Sequence, residues 1–301
     1  MATRFELVLW GPDRVAMQSA GEMALREIDR IGKRFSFYDP ASELSRLNRQ
    51  AAKRDMVVAG DFFELLLACD DLHTSTDGFF DPTIGPLMKL WHTSAERKKQ
   101  PTLSAIQKAL SVTGWKHVLL DKRNYSVRFD KEGLQIDLGG IAKGWAIDEA
   151  INILVEAGIS HALLHGGTSS VRSIGVQEDH KSWIVGIQDP YVPADAAQWF
   201  STVSLRDSAL SVSAVHGKSF LQNDIEFGHV LNPKSGMART GPHVSWVTGS
   251  SAVVCDAWST ALLAGHGRCS EPRLEIACLA QKNGTQWDIE SFKPNPSLLS
   301  S

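Results

Sequence analysis

The stretch LQIDLGGIAKGWAIDEAINILVEAG, residues 134–158, decides how the rest of the chain is read. LQIDL alternates apolar and polar residues, as a short strand does, and runs straight into Gly139 and Gly140. Ile147, Ala150, Ile151 and Leu154 then recur at spacings of three and four up to Gly158, which marks a helix face and its stop. The segment is thus a strand, a glycine loop and a helix in that order. The loop also points to chemistry. Glycines let the backbone approach a ligand, the helix start offers unpaired N–H groups to an anion, and Lys143 adds a positive charge. A phosphate or pyrophosphate suits such a place; the alternative is a tight turn with a solvated lysine. Neither the G-x-x-x-x-G-K-[ST] nor the G-x-G-x-x-G spacing is present, so the loop belongs to neither fingerprint.

Upstream, Phe5, Leu7 and Leu9 predict a strand before the Gly11-Pro12 turn. Met17, Ala20, Met23, Ala24, Ile28 and Ile31 predict one helix face over about 14–33. The segment 35–48 mixes aromatics with turn residues, and a second helical pattern, Phe62, Leu66, Cys69 and Leu72, ends near Gly78. FFDPTIGPLMKLW, residues 79–91, carries two prolines among large apolar residues and reads as a buried loop. SVRFD and LQIDL read as strands joined through Lys131-Glu132-Gly133 in a hairpin. Downstream, HALLHGG, WIVGIQD and the region 200–215 read as strands, and a last helix is expected over about 251–264, with the tail from 291 frayed. No short fixed repeat is present, which argues against solenoids and propellers, and the length suits one domain over 1–301 or two intertwined lobes.

Composition narrows the function classes. The 301 residues are 43% hydrophobic and 22% charged, with a net charge of −3 that supplies no overall positive field for nucleic acid. Cys69, Cys255, Cys269 and Cys278 show no metal or disulfide spacing and read as core residues or free thiols. No apolar run is long enough to cross a bilayer and the opening does not resemble a signal peptide, so a cytoplasmic location is expected.

Two further groups of residues carry chemistry. Asp256 and Thr260, four apart on the last helix, present a carboxylate and a hydroxyl on one face, which suits a hard cation such as Mg²⁺; a plain polar helix face is the alternative. His229, in GHVLNPKSG at a strand end, could serve as a general acid or base, or hydrogen-bond a turn. His161 and His165 lie four apart on a strand, too distant to share a metal ion easily.

Six ordered blocks together resemble the FAD:protein FMN transferase family, also called the ApbE family. They are the opening MATRFELVLWG, FYDPASELSRLN with Tyr38, DGFFDPTIGPLMKLW, IDLGGIAKGWAID, GHVLNPKSG and CDAWSTALL. The resemblance implies an α/β fold, mixed α+β, of the ApbE type, with FAD in a cleft between two intertwined lobes and Mg²⁺ bridging its pyrophosphate. It implies metal ligation by the Gly140 carbonyl, Asp256 and Thr260, and flavin contacts from Met1, Tyr38, Phe79, Phe80, Asp81, Asp137 and Lys143. By the same resemblance His229 is expected beside the reacting phosphate, with Asp256 also catalytic.

The implied reaction transfers FMN to a Thr or Ser hydroxyl of an acceptor flavoprotein and releases AMP. An FAD pyrophosphatase giving FMN and AMP, and a non-catalytic FAD-binding protein, are the competing readings. Three residues depart from the family pattern: Asn232 where Asp is usual, Thr168 where many members have Asp or Asn, and Ser259 at a position acidic in some. At 232 either the usual carboxylate is structural or the chemistry is altered, while Thr168 and Ser259 imply a lower metal affinity. The export signal or lipoprotein cysteine of the family is also not seen.

Overall fold

In the computed structural model, which describes residues 3–192, 198–217, 219–265 and 267–292, the chain alternates between strands of one sheet and excursions away from it. It begins with β1 (Phe5–Leu9), α1 (Arg14–Arg34), α2 (Glu43–Gln50), β2 (Met56–Val57), α3 (Gly60–Ser75), α4 (Gly85–Glu96) and α5 (Leu103–Leu110). β3 (Val118–Asp121), β4 (Ser126–Phe129), α6 (Ala142–Glu156), β5 (Ala162–Gly166), β6 (Ser170–Ile174), β7 (Trp183–Gln188) and β8 (Trp199–Leu205) follow. The last part holds β9 (Ala209–Ala214), β10 (Phe220–Gln222), β11 (Ile225–Leu231), β12 (Ala238–Thr240), β13 (His243–Gly249), α7 (Ala252–Ala264), β14 (Leu274–Asn283) and β15 (Gln286–Phe292). Among the described residues no helix is long and apolar enough to cross a membrane.

The 7-stranded sheet runs β1-β5-β6-β9-β13-β14-β15, with every neighbouring pair antiparallel. Period-2 alternation gives it two buried faces. Ala209 and Val247 join the helical core with Ala252, Val254 and Trp258 of α7. Leu210, Val244 and Trp246, one residue out of phase, pack against Trp183, Ile187, Val203 and Leu205 of the β7–β8 hairpin. The result is three layers: helices, the large sheet, and the hairpin. A small sheet, β10-β11-β12, forms a third excursion between β9 and β13.

Two helices fix each other at their N-termini. Ile141 at the start of α6 has no side chain that can cap, so the N–H of Gly144 donates to Asp256 Oδ2 of α7 at 3.1 Å. In return Asp148 of α6 accepts from Ser251 Oγ at 2.7 Å and from the N–H groups of Ala252 and Val253 at 2.9 and 3.0 Å. Arg172 of β6 pairs with the same Asp148. Carboxylates at helix N-termini are favourable for both the orphan N–H groups and the dipole. The approach needs a glycine, because a Cβ on Gly144 would lie 2.3 Å from the Ala252 carbonyl oxygen.

The mixed α/β class agrees with the sequence reading, as do β1, α1, α3, α6, β5, β7 and α7. Several local expectations are corrected. Met23 is exposed: Ala20, Gly21 and Ala24 carry the contact face, with Gly21 fitting against Leu7 and Leu9. The second half of FFDPTIGPLMKLW is α4, since Pro86 sits in the first helical turn, where its missing N–H costs nothing.

LQIDL is extended but joins no sheet beyond an isolated bridge from Gln135 to Ile84. Its backbone bonds elsewhere: the N–H and C=O of Ile136 pair with the Asn48 side chain, each at 2.8 Å, and the Asp137 N–H donates to Pro82 O at 2.7 Å. SVRFD instead pairs with β3, so the hairpin turns at 122–125. The 35–48 segment holds the start of α2, capped by Ser42, and β13, β14 and β15 complete the sheet. All four cysteines are free thiols.

Overpacking against backbone cannot be relieved by a rotamer change. Gly144→Ala is therefore expected to destabilise the protein by about 3 kcal/mol, measured by denaturant unfolding. A loss below about 1 kcal/mol would mean that the α6–α7 contact relaxes freely.

Candidate active site

Asp256 lies one turn into α7 and is 2% exposed. Besides Gly144 N–H, it accepts from Lys143 Nζ at 3.1 Å on Oδ1, with Oδ2 at 3.5 Å, and from Ser211 Oγ at 3.2 Å. Thr260, one turn further, donates Oγ1–H to the Asp256 carbonyl at 3.0 Å. Gly140 faces that hydroxyl closely, since a Cβ on it would stand 3.2 Å from Thr260 Oγ1. Asp256, Thr260, Gly140 and Lys143 thus converge at the junction of the glycine loop with both helices.

Beneath α7 the sheet presents serines instead of apolar residues. Ser211 and Ser213 share the face of β9 turned to α7; Ser213 Oγ lies 2.9 Å from Ser259 Oγ, which lies 3.3 Å from Ser211 Oγ. Ser245 Oγ donates to the Ser259 carbonyl at 2.6 Å. Ser211 has one proton and two acceptors, Asp256 Oδ1 and the Ser169 carbonyl at 3.1 Å, so it serves one at a time or divides between them. Sequence reasoning missed this network. Its signal was present in ALSVSA, where two serines spaced by two must share a strand face.

The junction opens into a cavity of about 1800 Å³, above the usual range of about 300–1,000 Å³ for small-ligand pockets. Tyr38, Phe79, Phe80, Asp81, Asp137, Gly140, Lys143, His229, Asp256 and Thr260 all line it; Met1 lies outside the described residues. These residues come from separate excursions of the chain, which the fold brings to one place. They differ in their engagement. Asp81 Oδ1 accepts from Thr83 N–H at 2.8 Å and Thr83 Oγ1 at 2.6 Å, which holds the loop, and Phe80 is buried in the core. Phe79 is half-buried, with the Lys234 ammonium 4.1 Å from its ring centroid.

Tyr38 is exposed, and desolvation by its surroundings, then the charge of Asp137, raise its phenol pKa, so it stays protonated at neutral pH. Asp137 shapes the loop by accepting from Gly139 N–H at 2.8 Å. His229 is exposed on β11, where the pairing with β12 shifts register between Phe227 and Leu231. Such an irregularity re-aims side chains. Thr168 and His165 also border the cavity, with His165 Nε2 3.1 Å from Glu6 Oε2. Among the described residues no three His, Cys, Asp or Glu side chains gather around a metal-sized space.

Asn232 acts in a turn. Its Oδ1 accepts from the N–H groups of Lys234 and Ser235 at 2.9 and 3.0 Å, and its Nδ2 donates to the Ala264 carbonyl at the end of α7 at 3.0 Å. An aspartate reproduces the first two bonds but cannot make the third.

The profile of the ApbE family matches residues 1–269. An FAD:protein FMN transferase of Vibrio cholerae is 27% identical over 241 residues, which span 79% of this chain and 71% of that protein. One of Klebsiella pneumoniae is 27% identical over 259 residues, spanning 86% and 77%. Among solved structures, the apbe protein of Thermotoga maritima superimposes with a TM-score of 0.82 at 25% identity, covering 96% of this chain and 97% of its own. The flavin transferase ApbE of Vibrio cholerae gives a TM-score of 0.79 at 22% identity, covering 98% and 95%, a likeness of fold.

Asn232→Asp places a carboxylate against the Ala264 carbonyl and removes that carbonyl's donor. The expected cost is about 2 kcal/mol in denaturant unfolding, since an unmet buried acceptor costs about 1–3 kcal/mol. Unchanged stability would mean that α7 does not depend on Asn232 for its C-terminal cap.

Proposed function

The chain belongs to the ApbE family, and from that premise we propose that it cleaves the pyrophosphate of FAD and transfers the FMN half to a Thr or Ser hydroxyl of an acceptor protein, releasing AMP, with Mg²⁺ as its metal. It is a transferase, as its curated relatives are named, and its acceptor is a protein. One observation carries the reading: the buried Asp256 carboxylate, the Lys143 ammonium and the glycine loop meet on the wall of a cavity large enough for a dinucleotide.

The donor set suits a hard cation. Gly140 carbonyl, Asp256 carboxylate and Thr260 hydroxyl are all oxygens, and the Thr260 proton already goes to the Asp256 carbonyl, which leaves the hydroxyl lone pairs for a metal. With only one carboxylate among them, bound waters remain for phosphate oxygens to displace. When bound, the cation offsets the charge that develops on the pyrophosphate.

This chain's residues supply the remainder. The α6 N-terminus and Lys143 hold the pyrophosphate, and Tyr38 and Phe79 offer aromatic surface to the isoalloxazine, with Phe80 supporting the loop from the core. His229 takes the proton of the acceptor hydroxyl as its oxygen attacks the FMN phosphorus. The bond between that phosphorus and the AMP phosphate oxygen then breaks.

Incubation with FAD and Mg²⁺, with and without an acceptor carrying a flavinylation site, tests the reading. Covalent flavin fluorescence on the acceptor supports it; FMN and AMP formed equally without acceptor indicate a pyrophosphatase, and intact FAD a binding protein. Asp256→Asn keeps the shape but removes the charge, so transfer is expected to fall at least about a hundredfold. Thr260→Ala should lose less and recover partly with excess Mg²⁺. An unchanged Mg²⁺ dependence in Asp256→Asn refutes the metal assignment.

A further inference from the structure

The Asp256 carboxylate is claimed twice. Its side chain is 3% exposed and Lys143 Nζ donates to its Oδ1 at 3.1 Å, while the same carboxylate belongs to the proposed cation ligands. A buried carboxylate without a compensating cation is costly. An ammonium and a divalent cation on one oxygen repel each other strongly, with little water to screen them. The position therefore accommodates one cation at a time.

The surroundings let the two exchange without moving the carboxylate. Oδ2 stays on the Gly144 N–H of the α6 backbone at 3.1 Å. Ser211 can turn its single proton between Oδ1 and the Ser169 carbonyl, so it follows whichever cation is present. Only the flexible lysine chain has to leave. Its side chain is 22% exposed and borders the cavity in the first turn of α6, where the helix start favours an anion. A phosphate bound beside the helix start offers the displaced ammonium a new partner.

We propose that Lys143 is an exchange latch: it neutralises Asp256 until a divalent cation takes that carboxylate, and the released ammonium then holds the pyrophosphate of FAD. Cation and FAD consequently bind cooperatively. The inference rests on the reading that Asp256 ligates the cation and that FAD occupies the cavity.

Calorimetric titration of Mg²⁺ with and without FAD, and of FAD with and without Mg²⁺, tests it in the parent and in Lys143→Met, with Lys143→Gln as a second uncharged variant. Cleavage during titration is checked by chromatography. In the parent each ligand is expected to tighten the other about tenfold or more, by the same factor in both directions. Without FAD, Lys143→Met should bind Mg²⁺ more tightly than the parent and gain more thermal stability from it.

The coupling factor in both variants should fall several-fold. A coupling factor equal to the parent's, with Mg²⁺ tightened equally whether or not FAD is present, overturns the latch and leaves a simple through-space charge. Unchanged Mg²⁺ affinity in Asp256→Asn overturns the metal assignment and the latch together. A parent that binds Mg²⁺ through Asp256 but shows no coupling to FAD overturns the latch alone.

Discussion

The structure depends on two helices that cap one another. Asp256 of α7 meets the N-terminus of α6, and Asp148 of α6 meets the N-terminus of α7. Each carboxylate satisfies donors that the other helix cannot satisfy itself, because Ile141 offers no capping side chain and Ser251 reaches only Val254 within its own helix. The exchange holds only if the backbones nearly touch, which Gly144 permits. A carboxylate committed to capping is also fixed in position. Asp256 therefore lacks the usual mobility of an acidic side chain.

Around this pair the excursions from the sheet become walls. The first brings Tyr38, the Phe79–Asp81 loop and the glycine loop; the β7–β8 hairpin closes a second side; the β10-β11-β12 sheet carries His229. The serines under α7 have a complementary part. An apolar residue at 211 would remove one donor from Asp256, whereas the Ser211 hydroxyl supplies it without adding charge, and Ser213 and Ser259 extend the network from it.

The glycine loop, α6 and α7 were legible because their information is local: periodicity, a glycine stop, and a carboxylate and hydroxyl one turn apart. LQIDL misled for the opposite reason. Alternation reports a half-buried extended backbone, yet the partners of Ile136 come from Asn48, far along the chain, and not from a neighbouring strand. Pro86 was ambiguous because proline breaks a helix interior but suits its first turn, and only the neighbours decide. Phe80 and Asp81 fell within a family block, but no spacing could reveal that they brace the cavity wall from within. Reciprocal capping left no sequence trace at all, since Asp148 is one of several acidic residues on α6 and its partner is more than a hundred residues away.

The large sheet is ordered strictly as its strands occur in the chain, with each new strand joining the edge left by the one before. Synthesis from the N-terminus can therefore lay it down progressively, without opening a pair already made. The junction of α6 with α7 does not share this property. Until Asp256 leaves the ribosome, the start of α6 lacks its cap, although five strands of the sheet precede α7 in the chain. A nascent chain thus gains most of its sheet first and the capped start of α6 late, so the wall that the two helices form together is among the last parts of the fold to be completed.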